Sequence, residues 1–144
     1  PPVVGVFKFV PSTNGATFVT SFLAFDQSFR GGVNIAAGDL DGDDKAEIVA
    51  GAGPGGAPHV RVLSGTGGRL PGSAYAYGAN FPGGVYVAVG DVDGDGENDI
   101  VTGVGAGGGP HIRAFDIDMN PLSTSFYAYD AGFTGGVFVA VGKP

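Results

Sequence analysis

Short runs of apolar residues, separated by Gly, Pro, Asn and Asp, follow one another along the whole chain. The runs are rich in β-branched and aromatic side chains, and no stretch repeats its apolar positions with the period of a helix. Such runs between turn-forming residues are typical of β-strands. The pattern therefore predicts an all-β fold.

Within the best-defined part of the chain the pattern predicts four strands, at residues 85–89, 99–102, 111–115 and 125–129. In the first of them Val85, Val87 and Val89 point to one face, and Tyr86 and Ala88 point to the other. A sheet with one face in water would alternate apolar and polar residues, whereas this strand is apolar on both faces. We therefore expect four-stranded antiparallel sheets that are covered on both sides.

The chain also repeats itself with an offset of 52 residues, the distance from Asp39 to Asp91. The same offset relates three Gly-Gly-Val triplets, which begin at Gly31, Gly83 and Gly135. It also relates two His-x-Arg segments, which begin at His59 and His111, and two Tyr-Ala-Tyr segments, which begin at Tyr75 and Tyr127. A period of this size is typical of β-propeller blades. We expect one domain, 1–144, with a partial blade at 1–30, full repeats at 31–82 and 83–134, and the first strand of a further blade at 135–144. A β-sandwich would explain the strands but not the period.

Two acidic loops lie at matching places in the repeats. Carboxylates occupy loop positions 1, 3, 5 and 9, which are Asp91, Asp93, Asp95 and Asp99 in one copy and Asp39, Asp41, Asp43 and Glu47 in the other. At ~4–5 Å and an effective dielectric constant of ~20, each carboxylate pair without a cation costs about 3–4 kcal/mol. Ca²⁺ prefers several oxygen ligands at once, so the spacing favours calcium sites over hydrated acidic turns.

An EF-hand is the alternative calcium motif with the same opening residues. It requires a Glu at loop position 12 and a helix on each side. Position 12 is Thr102 in one copy and Ala50 in the other, and both lie in predicted strands. The sequence therefore disfavours an EF-hand.

Together these residues resemble the FG-GAP repeat, the calcium-binding blade of integrin α-subunit propellers and of many bacterial surface proteins. The resemblance covers both full repeats, and its motifs are Phe81-Pro-Gly-Gly84, the loop from Asp91 to Asp99 and the glycine-rich segment that follows it, with the counterparts 29–32 and 39–54. It implies that each loop joins the first two strands of a blade. It also implies that the main-chain carbonyl at position 7, of Lys45 or Glu97, joins the four carboxylates as a Ca²⁺ ligand.

The first loop departs from this pattern at two positions. Asp44 replaces the glycine found at Gly96, where the resemblance requires a positive φ, and Glu47 replaces the aspartate found at Asp99. Aspartate tolerates a positive φ less freely than glycine. We therefore expect the first loop to be the weaker calcium site.

Composition limits the classes of partner that the protein is expected to bind. A net charge of −7 and a pI near 4.4 argue against nucleic acid and anionic membranes, and no apolar run is long enough to enter a bilayer as a helix. Zero cysteines exclude disulfides. The glycine runs near Gly53 and Gly105 are not followed by Gly-Lys-Ser/Thr, so they do not indicate a phosphate loop. No set of residues indicates catalysis, and we expect a protein that is not an enzyme.

The repeated His-x-Arg and Tyr-Ala-Tyr segments allow two interpretations each. His59 with Arg61, and the equivalent pair in the next repeat, would bind a carboxylate or sugar, or would form hydrogen bonds between blades. The latter is favoured. The tyrosines would stack on sugars or would cover the neighbouring blade, and again the latter is favoured.

The sequence thus predicts a calcium-binding propeller module, secreted or on the cell surface, that acts as a scaffold or binding unit. Two full repeats are fewer than the four to eight blades of a propeller. We therefore expect a homo-oligomer that closes the ring through the strand at 137–141. The alternative function is that of a carbohydrate-binding lectin. The expected ligand is a carbohydrate or a protein. A propeller polysaccharide lyase or hydrolase is less favoured.

Overall fold

The computed structural model describes residues 1–143, and within them the protein is all-β. A 3₁₀ turn at Pro11–Thr13 is the only helical element in that range. The described residues contain no helix that is long and apolar enough to cross a membrane. The strands of the described residues are β1 Val3–Val10, β2 Gly15–Leu23, β3 Val33–Gly38, β4 Glu47–Ala52, β5 His59–Leu63, β6 Arg69–Tyr75, β7 Val85–Gly90, β8 Asp99–Val104, β9 His111–Phe115 and β10 Pro121–Tyr127.

Across residues 1–143 these strands form a hairpin and two four-stranded antiparallel sheets. Strands β1 and β2 pair as the hairpin, β3–β4–β5–β6 form sheet 1, and β7–β8–β9–β10 form sheet 2. Each sheet connects neighbouring strands in chain order, and neither sheet closes on itself. The predicted antiparallel four-stranded sheets are therefore confirmed, while their arrangement as propeller blades stays a prediction. Sheet 1 lies within the predicted repeat 31–82 and sheet 2 within 83–134.

The core consists of three apolar layers stacked along the chain. One layer lies between the hairpin and sheet 1, a second between sheets 1 and 2, and a third between sheet 2 and residues 139–141. Strand β4 contributes to two of these layers, because Ile48 and Ala50 face the hairpin while Val49 faces sheet 2. Strand β7 is apolar on both faces as predicted, with Val85 and Val87 packed in the layer next to sheet 1.

Glycines in the second strand of each sheet allow the next segment to come close. A Cβ added at Gly51 would lie 2.8 Å from the carbonyl oxygen of Val85, and one added at Gly103 would lie 2.1 Å from that of Val137. Real Cβ atoms do not approach backbone oxygens this closely, so a larger residue at either position would force the neighbouring segment to move.

Several predicted strand boundaries were wrong. The fourth strand of sheet 2 is Pro121–Tyr127 instead of 125–129, because Pro121 already pairs with Phe115. Strand β8 extends to Val104, because Val104 pairs with Val85. At the N-terminus, the predicted partial blade 1–30 contains two strands, Val3–Val10 and Gly15–Leu23, which pair along almost their whole length.

Residues 137–141, predicted as a lone first strand, do not form a strand within the described chain. The segment still packs on sheet 2, since Val137 N donates to the carbonyl oxygen of Val104 at 2.9 Å and Val139 and Val141 pack in the third apolar layer. Its counterpart β7 is a strand because β8 pairs with it, and the described residues after 137 contain no equivalent partner. Pro144, the last residue of the predicted range 135–144, lies outside the described residues.

Candidate functional site

Both acidic loops lie at the same place in their sheets, between the first and second strands. The first follows β3 and ends at Glu47, the first residue of β4, and the second follows β7 and ends at Asp99, the first residue of β8. Because position 9 is already part of a buried strand, Glu47 and Asp99 are each only 5% exposed. The remaining loop residues are mostly exposed, so each loop carries one buried and several exposed carboxylates.

Backbone N–H groups fix the carboxylates of the first loop. Asp39 accepts from the amides of Gly42 at 2.7 Å and Asp44 at 2.9 Å, and Glu47 accepts from the amide of Leu40 at 2.9 Å. The further bonds are Asp43 N to Asp39 and to Asp41, both 3.2 Å, and Lys45 N to Asp43, 2.8 Å. Three carboxylates, those of Asp39, Asp41 and Asp43, each place one oxygen within 4.8 Å of the others.

The second loop repeats this framework with a different set of converging oxygens. Asp91 accepts from Gly94 N at 2.7 Å and Gly96 N at 3.1 Å, and Asp99 accepts from Val92 N at 2.9 Å. The shorter-range bonds are Asp95 N to Asp93, 3.2 Å, and Glu97 N to Asp95, 2.8 Å. Here the oxygens that lie within 4.8 Å of one another belong to Asp91, Asp93 and Asp99.

The two copies therefore bring together positions 1, 3 and 5 in the first loop and positions 1, 3 and 9 in the second. Glu47 and Asp95 remain outside these close triads. The amides of Lys45 and Glu97 are tied to Asp43 and Asp95, and the ligand role of their carbonyl oxygens stays a prediction. Oxygen-only clusters of this kind fit a hard cation such as Ca²⁺.

The backbone at position 6 is left-handed in both loops, as expected. The φ angle is 64° at Asp44 and 93° at Gly96. An L-residue pays about 1–2 kcal/mol for this conformation, which glycine adopts without that cost. The departure at Asp44 thus places backbone strain in the first loop.

The charges of the two loops also differ. Burial raises the pKa of Asp99, and the carboxylates of Asp93, Asp95 and Asp91 raise it further. In the first loop the Lys45 ammonium lies 3.0 Å from Asp43 Oδ2, and this hydrogen bond holds the pKa of Asp43 below its usual value. The acidic cluster of the first loop is therefore partly neutralised by Lys45, whereas that of the second loop has a buried carboxylate, Asp99, surrounded by like charges.

Sequence reasoning missed a contact that joins the two loops. Asn98 Nδ2 donates to the carbonyl oxygen of Asp39 at 2.8 Å, across 59 residues of sequence. The first loop has Ala46 at the equivalent position, so the only signal in the sequence was a departure from the repeat. The contact places the two acidic loops next to each other at one edge of the stacked sheets.

The favoured interpretation of the His-x-Arg segments, hydrogen bonds to the neighbouring element, holds for the arginines, whereas the histidines bond within their own sheets. Arg61 Nη1 donates to the carbonyl oxygen of Ala24 at 2.8 Å, and Arg113 Nη1 donates to that of Ala76 at 2.7 Å. The equivalent histidines, His59 and His111, each share a hydrogen bond of 2.8 Å with a serine on the neighbouring strand, Ser73 and Ser125. Each arginine therefore fastens its sheet to the element that precedes it.

The tyrosine interpretation was right for one side chain only. Tyr77 is partly buried, and its hydroxyl oxygen lies 2.7 Å from the carbonyl oxygen of His111 and 3.0 Å from that of Thr102. Burial raises the pKa of Tyr77 to about 12. In contrast, Tyr75, Tyr127 and Tyr129 are 52%, 58% and 59% exposed, so they do not cover a neighbouring sheet to the same extent.

The glycine-rich segments do not form a phosphate loop. Gly55 N donates to the carbonyl oxygen of Pro82 at 2.8 Å, and Gly107 N donates to that of Thr134 at 2.8 Å. These two N–H groups thus bind the last residue of their own repeat, next to the start of the following one, and are not free for a phosphate. In the described chain each segment leads into a strand rather than a helix.

Comparison with known proteins identifies no matching family model, no similar curated protein and no similar solved structure.

Proposed function

We propose that this chain is a calcium-stabilised repeat module of the β-propeller type, which acts as a scaffold or binding unit outside the cell and has no catalytic role. One observation carries the proposal. Two loops at equivalent places in two sheets each bring three carboxylate oxygens within 4.8 Å of one another. Nothing in the β-fold alone requires such a concentration of negative charge twice.

Carboxylates at these distances repel one another by a few kcal/mol per pair, even with the partial screening of a protein surface. The backbone N–H bonds offset part of this cost, but they bind each carboxylate separately and do not neutralise the cluster. A divalent cation removes the repulsion between all of its ligands at once, which is why Ca²⁺ supports the folded loop.

The choice of Ca²⁺ over Mg²⁺ rests on the flexibility of the donor set. Ca²⁺ accepts six to eight oxygens in variable geometry, while Mg²⁺ demands a near-ideal octahedron and retains much of its water. The exposed loop carboxylates, with one longer Glu47 in place of Asp99, fit the less demanding ion. Millimolar extracellular calcium suits sites of modest affinity, which is the basis for the proposed location.

The resemblance to the FG-GAP repeat supports the propeller arrangement. Its motif residues, including the loop that starts at Asp91, occur twice at the 52-residue offset. The stacking of hairpin, sheet 1 and sheet 2 is what successive blades of a propeller would require.

The calcium proposal is tested by thermal unfolding and metal analysis of the purified protein, with calcium, with magnesium and with excess EDTA. We expect a ligand present at a hundredfold excess over its Kd to stabilise the fold by about 2.7 kcal/mol. Asp93→Ala should lower the bound calcium by one ion, while Asp118→Ala, in an exposed turn outside both loops, should leave it unchanged. Unchanged melting and no bound calcium in the unmodified protein would refute the proposal.

We also propose that further copies of the chain extend the stack. The hairpin exposes large apolar side chains, namely Val3, Phe7, Phe9, Phe18, Val19 and Leu23. Apolar faces of this kind mark association surfaces, and a repeat interface fits a neighbouring repeat. We no longer place the contact between copies at residues 137–141, because Val139 already packs against sheet 2 of its own chain.

Sedimentation in calcium tests this association. Phe9→Asp should dissociate the assembly, while Thr66→Asp, in an exposed turn of sheet 1, should not. A well-folded monomer at micromolar concentration would contradict the proposed self-association.

A further inference from the structure

A cavity of about 230 Å³ lies where the residues that follow the hairpin meet strands β4, β5 and β6 of sheet 1. The residues that matter for its chemistry are Phe25, Asp26, Ala52, His59, Arg61 and Tyr75. Its volume is below the ~300–1,000 Å³ of pockets for drug-sized ligands. The cavity therefore suits a ligand of a single ring.

One wall of the cavity is aromatic. The ring centroids of Phe25 and His59 are 5.6 Å apart, and those of His59 and Tyr75 are 5.1 Å apart. Tyr75 is 52% exposed, so this wall opens to solvent at its outer end. Aromatic faces offer apolar contact to flat C–H surfaces, and the tyrosine adds a polar hydroxyl at the rim.

The cavity also presents a hydrogen-bond donor and an acceptor. The Arg61 guanidinium lies over the Phe25 ring, 5.2 Å from its centroid, and one of its nitrogens is held by the carbonyl oxygen of Ala24. In the part of the chain that the structure describes, no carboxylate lies within 4.0 Å of this guanidinium, so its other N–H groups remain for a ligand. Asp26 binds Ser28 through Oδ1, and its Oδ2 accepts no hydrogen bond from residues 1–143.

The equivalent place between sheets 1 and 2 is built differently. Tyr77 replaces Phe25 and bonds the carbonyl oxygens of Thr102 and His111, while Gly78 replaces Asp26 and brings no carboxylate. Val104 replaces Ala52, and its Cγ2 lies 2.7 Å from where a Cβ of Gly108 would stand. The second repeat thus fills the space that the first leaves open.

We propose that the cavity between the hairpin and sheet 1 binds one uncharged pyranose ring of a carbohydrate. The C–H face of the sugar would lie against His59 and Tyr75, because the Phe25 ring is only 8% exposed and is covered by the Arg61 guanidinium. Neighbouring hydroxyl groups would donate to Asp26 and accept from Arg61. The presence of both an acceptor and a cationic donor favours a neutral, hydroxyl-rich ring over a simple anion, which Asp26 would repel. Because the second repeat fills the equivalent space, we propose one sugar site in the described chain rather than one in every repeat.

The test is a titration by NMR and calorimetry, in calcium, with methyl pyranosides of glucose, galactose, mannose and fucose, and with methyl glucuronide as the charged comparison. We expect at least one neutral glycoside to bind at millimolar concentration. Ala52→Val should weaken that binding at least about tenfold, because it introduces the side chain that fills the equivalent space in the second repeat. Tyr127→Ala, the counterpart of Tyr75 outside the cavity, should leave binding unchanged.

Asp26→Asn is the second variant, since it changes an exposed side chain and keeps its size. It should weaken the neutral glycoside and strengthen the glucuronide, a reversal that a purely structural role would not produce. Three results would overturn the proposal. They are the absence of binding by every neutral glycoside, a preference of the unmodified protein for the glucuronide, and binding that survives Ala52→Val in a folded protein.

Discussion

The two repeats share their framework and differ at its edges. Arg61 and Arg113 make the same bond to the preceding element, at 2.8 and 2.7 Å. At the rim of the interface, however, the first repeat meets Phe25 and the second meets Tyr77, with a hydroxyl that reaches two carbonyl oxygens. Contacts that fix one sheet on the next are retained, while the rim and the acidic loop vary. Variation at the rim can therefore open a cavity while the contacts that hold one sheet on the next are retained.

The largest expected effect concerns close approach at the second strands. We expect Gly51→Ala to reduce the free energy of unfolding by about 3 kcal/mol, because β7 is held in sheet 2 and cannot move away from the added Cβ. Gly103→Ala should cost only about 1 kcal/mol, although its clash distance is shorter, because residues 137–141 are not part of a sheet. Denaturant unfolding measures both values.

Gly78→Ala is the control, since a Cβ there would meet nothing within 4 Å. An equal or larger loss for Gly103→Ala would show that residues 137–141 are as firmly held as β7.

The second prediction removes the hydroxyl that distinguishes the interfaces. Tyr77→Phe gives the second interface the ring found at Phe25 and removes the part-buried hydrogen bond that the hydroxyl donates to the carbonyl oxygen of His111 or Thr102, so it should lower the free energy of unfolding by about 1–3 kcal/mol. The pKa of Tyr77 is raised from 10.0 to about 12, so the neutral phenol is the stabilised form. The contribution of the neutral Tyr77 phenol to the free energy of unfolding is therefore complete below pH 10 and is lost as the pH rises through about 12.

Denaturation at neutral pH and a phenolate absorbance titration check this prediction. The titration should show one late-ionising tyrosine that disappears in Tyr77→Phe. If the variant is as stable as the unmodified protein, the hydroxyl does not strengthen the second interface.

The third prediction compares the left-handed position of the two loops. We expect the order of stability Gly, then Asp, then Ala at both Asp44 and Gly96, measured by denaturation in EDTA so that metal binding does not contribute. Gly96→Ala should cost about 1–2 kcal/mol. Gly96→Asp should cost less, because aspartate tolerates this conformation better. A stabilising Gly96→Ala would show that the loop backbone relaxes.

The smallest expected effect concerns the charge at loop position 7. Lys45→Glu removes the ammonium that pairs with Asp43 and should tighten calcium binding in the first loop, while Glu97→Lys should weaken it in the second. Each change should be several-fold only, because exposed charges are screened by solvent. Calorimetry with calcium at two salt concentrations measures both, and the differences should shrink at the higher salt. Equal affinities in all variants would remove charge as the cause of any difference between the loops.

Much of the fold could be predicted because its signals are local. Alternation of side chains in 85–89 predicted a strand buried on both faces, and the offset of 52 residues predicted two like sheets. Strand ends were less predictable, since the start of β10 depends on pairing between Pro121 and Phe115. The segment 137–141 has the sequence of a strand but lacks a pairing partner in the described chain, so pattern alone predicted a ladder that does not form there.

The candidate calcium site was predicted from the same kind of local evidence, since the spacing of its carboxylates is a property of nine consecutive residues. What the spacing left open is which oxygens converge, and this differs between Asp43 in one loop and Asp99 in the other. The outcome depends on the short bonds of each loop and on the ion pair with Lys45.

The sequence by itself determined the strands, the repeat and the two acidic loops, because these follow from side-chain alternation and from spacing along the chain. Three features follow only from the packing of the sheets, namely that Asn98 reaches Asp39, that Tyr77 is partly buried while Tyr129 is exposed, and that a cavity lies beside Arg61. These features depend on how one sheet lies on the next. A difference of one hydroxyl or two methyl groups at that contact, which the repeat pattern treats as equivalent, decides whether the space is filled or open.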